Sequence, residues 1–135
     1  MPTPVSASSS CEQGSLAPLG IGLAMVSLAA VLAILASGSL YLTERRLTGV
    51  AESAALSVLL EADGNLSQDL FLMANSYLGK LPLRGLHQVT LIEASSPDLK
   101  TVRVRLCSVW RPIFENYMFS EIGRVCSEGL ARRGR

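Results

Sequence analysis

The chain is 135 residues long, 49% hydrophobic but only 5% aromatic, and carries a formal net charge of +1. That balance excludes the strongly basic face of a dedicated nucleic-acid binder. A single histidine, His87, rules out a zinc site built on two histidines, and neither a GxxxxGK[ST] nor a GxGxxG phosphate loop occurs.

In chain order, residues 1–15 read as a flexible polar tail, with Pro4, a serine-rich run from Ser6 to Ser10, and Gly14. An uncharged run then extends from Gln13 to Thr43. This exceeds the ~20 residues needed to cross the hydrocarbon of a bilayer. A core helix is the competing reading, but the remaining chain is too short to wrap such a segment on every side. A cleaved signal peptide is the other competitor. Residues 1–15 lack the basic n-region it requires, and the run is about twice the usual ~7–15 residues. The expectation is a transmembrane helix over residues 16–43, with Gly20, Gly22, Ala29 and Ala33 permitting close approach of a neighbouring helix.

The helix is expected to continue over residues 44–61. Leu47, Val50, Ala51, Ala54, Ala55 and Val58 recur at helical spacing and form one apolar stripe. The sequence Glu61-Ala62-Asp63-Gly64-Asn65 then supplies a turn. A second helix follows, with Asn65 and Gln68 as a capping pair, Leu66, Leu70, Met73, Ala74 and Tyr77 on one face, and Gly79-Lys80 at its end.

Beyond Pro82 and Gly85 the period changes from 3.6 to 2. Residues 87–94 and 101–110 read as a β-hairpin, with Val102, Val104, Leu106 and Trp110 on one face and Arg103, Arg105 and Cys107 on the other. Pro112 ends the ladder. Phe114, Met118, Ile122 and Val125 return to helical spacing, which predicts a C-terminal helix covering the hairpin. Residues 129–135 read as a basic, frayed tail. The small α+β domain is thus expected over residues 62–128.

No constellation carries catalytic chemistry, so neither an enzyme nor a cofactor is expected. His87 reads as structural, Arg103 and Arg105 as a solvated face, and Trp110 as a core or hairpin-end anchor. Cys107 and Cys126 are positioned to staple the C-terminal segment onto the sheet, provided the compartment is oxidising. Two buried free thiols are the alternative. Cys11 has no evident partner.

Two stretches, Arg-Arg-Leu-x-Gly-x-Ala-x-x-Ala-Ala-Leu from Arg45 to Leu56 and Val-x-Leu-Cys-x-x-Trp-x-Pro from Val104 to Pro112, sit in a layout of polar tail, apolar helix and small domain. Over residues ~12–135 this resembles the TadE/TadG-like proteins of tight-adherence (Flp-type) pilus assembly, in particular their short branch in high-GC Gram-positive bacteria. The resemblance implies a minor pseudopilin-like subunit, with Gly14-Ser15 as a possible processing site. Leu19 stands where such prepilins carry a glutamate.

The resemblance also implies a single-pass protein of the cell membrane, with its N-terminus in the cytoplasm and its C-terminal domain outside. Its implied partners are other pilin-like subunits and polytopic assembly proteins, with no nucleic acid and no small-molecule substrate. The positive-inside rule applied to Arg45-Arg46 alone points the other way. A membrane-anchored binding module unrelated to pili is the alternative function.

Overall fold

The computed structural model describes residues 1–2, 16–111 and 123–134. Five elements occur in the order α1 (Leu16–Glu61), α2 (Leu70–Lys80), β1 (His87–Ser95), β2 (Thr101–Trp110) and β3 (Gly123–Arg132). The fold is α+β, with a long apolar N-terminal helix. The chain divides into two compact units, residues 1–34 and 35–135.

Helix α1 begins two residues before Pro18, whose missing N–H falls among the first-turn donors that have no intrahelical acceptor. Its hydroxyl side chains return to the helix's own carbonyls. Ser27 donates to Leu23 O, and Thr43 to Ser39 O, both at 2.9 Å. Such bonds leave the apolar surface free of unpaired donors. The helix stops where Asp63 and Gly64 take positive φ, 43° and 85°.

The second helix starts later than its sequence pattern suggests. Asp69, not Asn65, is the N-cap, and its carboxylate accepts the Leu72 N–H at 3.2 Å. The Asn65 side chain is engaged by the Ser67 hydroxyl instead, within a turn.

The three strands form one antiparallel sheet in the order β1-β2-β3. Strand β1 carries two register irregularities, between His87 and Thr90 and between Leu91 and Glu93. The second has a clear purpose. Strict alternation after Val89 and Leu91 would point Glu93 at the core, but the extra residue Ile92 shifts the phase so that Ala94 packs there.

Strand β3 corrects the expected C-terminal helix. Val125 and Cys126 lie in a strand that runs on through Arg132, so residues 129–132 are not a frayed tail. Pro112, Phe114, Met118 and Ile122 lie outside the described residues, as do Cys11, Gly14, Ser15 and most of the polar tail.

The core lies between the second half of α1, α2 and one face of the sheet. Leu47, Ala51, Ala54, Ala55 and Val58 of α1 are fully buried, together with Ala74 of α2 and Val102, Val104 and Leu106 of β2. Small residues on the helix let β3 come very close. A Cβ built on Gly129 would collide with the backbone of Ala51 and Glu52.

Candidate functional site

Three features of the chain stand out: an apolar helix surface, a polar-aromatic band beside it, and a covalent staple. Residues 16–34 present large hydrophobic side chains on all sides of the helix, from Leu16 and Ile21 to Leu28 and Ile34, and these are exposed among the described residues. The helix is long and apolar enough to cross a membrane. Gly20, Gly22, Ala29 and Ala33 lie on this exposed segment, with open space around each glycine. At roughly 100° per residue, Gly20 and Gly22 fall on nearly opposite faces, so the two cannot meet the same neighbouring helix. Gly22, Ala29 and Ala33 do share a face.

The other stripe residues are placed differently. Leu47, Ala54 and Val58 are wholly buried under the chain's own sheet and second helix, and Val50 is packed against that core. The domain itself covers this stripe.

Just past the apolar segment, Trp110 at the end of β2 donates its Nε1 hydrogen to the Ser39 hydroxyl at 3.3 Å. Further along α1, Arg45 donates from Nε to the Tyr41 hydroxyl at 2.8 Å, and its guanidinium lies 5.2 Å from the Tyr41 ring centroid. Ser39, Tyr41, Arg45 and Trp110 thus form a band with aromatic and cationic character, the combination favoured where hydrocarbon meets water.

Cys107 and Cys126 are direct partners in the β2–β3 register and form a disulfide. Their Cα atoms are 4.0 Å apart. This is shorter than the ~4.4–6.8 Å usual for disulfides. The bond lies on the sheet face turned away from the core. On that face Arg103 Nε also meets Glu128 Oε1 at 3.0 Å, with both side chains more than two-fifths exposed. An ion pair so exposed contributes at most about 1 kcal/mol.

Other candidate residues serve the fold. The His87 carbonyl accepts the Ser108 hydroxyl at 2.7 Å, which satisfies the buried polar side chain of β2. At the β1–β2 turn the Asp98 carboxylate accepts the N–H groups of Lys100 and Thr101 at 3.0 and 2.6 Å, and the Thr101 hydroxyl at 3.0 Å. The Lys100 N–H first, and then the Thr101 N–H, hold its pKa below the ordinary 3.8. Among the described residues, no group of three or more His, Cys, Asp or Glu could hold a metal ion.

Sequence reasoning missed the tight seat of β3 on α1. The Thr48 and Ser127 hydroxyls lie 2.8 Å apart there, and Gly129 meets Ala51. The alternation of Val125, Ser127, Gly129 and Ala131 was the available signal. Compared with protein-family models, curated proteins and solved structures, the chain finds no significant match.

Proposed function

We propose that the chain is a single-pass, minor pseudopilin-like component of a Flp/Tad-type pilus or a related secretion assembly. Its N-terminus would be cytoplasmic and its stapled domain outside. The observation that carries this reading is the division of labour along α1. Residues 16–34 are apolar and largely exposed among the described residues, whereas residues 47–62 form the spine of a small α+β domain.

A helix of this kind can store a subunit in the bilayer and later pack against neighbouring helices. Association within lipid favours small residues that let backbones approach, and Gly22, Ala29 and Ala33 supply such a face. The disulfide supports an external domain, because cytosolic thiols are kept reduced. With Leu47, Ala54 and Val58 sealed inside the domain, contact with pilin-like or polytopic partners falls to the apolar half of α1.

The test is site-specific crosslinking from Ala29 and Ala33 in the native membrane, combined with deletion of the gene and a count of surface pili. Crosslinks to pilin-like or polytopic assembly proteins and a loss of pili are expected. Normal piliation together with crosslinks only to unrelated proteins would contradict the proposal and favour an anchored binding module.

A further inference from the structure

The end of the uncharged run sets the depth at which the first charges of α1 would lie in a bilayer. The run ends at Thr43, and Glu44, Arg45 and Arg46 follow it. At ~1.5 Å per residue, residues 16–43 suffice to cross a hydrocarbon core ~30 Å thick. On this measure Arg46, three residues past Thr43, falls at the level of the phospholipid headgroups.

At that level the domain carries a recess of about 360 Å³, lined by Arg46, Val50, Ser53, Pro82, Arg84 and Leu86 among others. Arg46 enters from α1 and Arg84 from the loop before β1. The loop is shaped to admit it: Gly85 has φ of +77°, and a Cβ there would collide with the Arg46 guanidinium. Both arginines are exposed, and among the described residues no carboxylate pairs with either. Two arginines lining one apolar-walled recess are complementary to a phosphate whose acyl chains continue beside α1.

We propose that this recess binds the phosphate of an anionic membrane phospholipid headgroup and so fixes the seating of the domain on the bilayer surface. The assignment rests on the membrane reading of α1. Lys100, Arg132 and Arg133 line a separate recess with Leu66 and Leu99 and serve as an internal control.

The experiment uses the full chain, extracted in detergent and exposed to an equimolar mixture of phosphatidylglycerol and phosphatidylcholine. Retained lipids are counted by native mass spectrometry. The wild-type chain should retain phosphatidylglycerol in preference. R46Q/R84Q should lose that preference by roughly thirtyfold, the combined effect of two arginines near an anionic surface. R132Q/R133Q should keep it. Equal preference in R46Q/R84Q and wild type would overturn the proposal, as would an equal loss in R132Q/R133Q. Displacement of the lipid by millimolar inorganic phosphate would overturn it too, by showing a site for the free anion. Recovery of the chain from cells in the soluble fraction would overturn the membrane reading itself. Failure of the lipid preference in a chain that stays membrane-bound would overturn the recess alone.

Discussion

Gly129 is the residue on which the seat of β3 most depends. Its hydrogen side chain lets the strand lie against the α1 backbone at Ala51 and Glu52, and any Cβ must push the two apart. Gly129→Ala should therefore destabilise the domain by about 1–3 kcal/mol, as overpacking does in well-packed interiors. Gly79→Ala is the matched control, because it lies in α2 with open space around its Cα. Higher helix propensity there should stabilise by about 0.5–1 kcal/mol. Thermal unfolding of the detergent-extracted chain, followed by circular dichroism, reads both changes. Asp98 acts at the same scale but through pH. Its pKa is lowered in the folded state by the N–H groups of Lys100 and Thr101, so its contribution is fully present above the unfolded value. That contribution is lost as the pH falls through the lower folded value, below about pH 4. Asp98→Asn should lower the unfolding temperature near neutrality, flatten its decline in that window, and bring the two proteins together at the acid end. An identical decline in both proteins would show that another group carries the acid sensitivity.

At the scale of elements, the disulfide and the sheet register hold β3 in place. Cys107–Cys126 closes a loop with a sequence separation of 19 residues, worth roughly 3 kcal/mol if the effect comes from restricting the unfolded chain. Replacing either cysteine with Ser should speed amide hydrogen exchange across residues 123–132 by a larger factor than across residues 47–59 of α1. A uniform increase over both would mean that the bond stabilises the domain globally rather than the strand locally. These elements were unevenly legible in the sequence. Helix α1 was readable because its uncharged run is long enough to span a bilayer and passes without a break into the stripe from Leu47 to Val58 at helical spacing, and the hairpin because Val102, Val104 and Leu106 alternate with Arg103 and Arg105. Strand β3 was hidden because its inward residues after Val125 are Ser127, Gly129 and Ala131. A strand laid directly on a helix backbone has no room for the large side chains that announce a buried face. The cap at Asp69 was missed for a different reason: Asn65 satisfies the same local pattern, and only the turn bonded from Ala62 to Gln68 shows which residue is free to cap. At the candidate site, the cysteine pair could be read from the sequence. The recess could not, since Arg46 and Arg84 are distant in the chain and only the fold brings them together.

For the whole molecule, α1 links two environments. Its apolar half exposes Leu19, Leu23, Val26 and Ile34 to whatever surrounds it, while its second half is the scaffold on which the domain is built. No soluble setting accommodates so large an apolar surface without a covering partner. A bilayer covers it with no further protein, and the helix satisfies its own backbone hydrogen bonds as a spanning segment must. The orientation we propose rests on chemistry rather than on charge count. Arg45-Arg46 alone would hold the domain in the cytoplasm, but the Cys107–Cys126 bond persists only where thiols are not continually reduced. The most direct measurement is a reporter enzyme that folds only outside the cytoplasm, fused after Arg135 and assayed in intact cells. The account predicts an active reporter in the membrane fraction. A silent fusion, present at normal levels and with both cysteines alkylatable without reductant, would place the domain in the cytoplasm and contradict it.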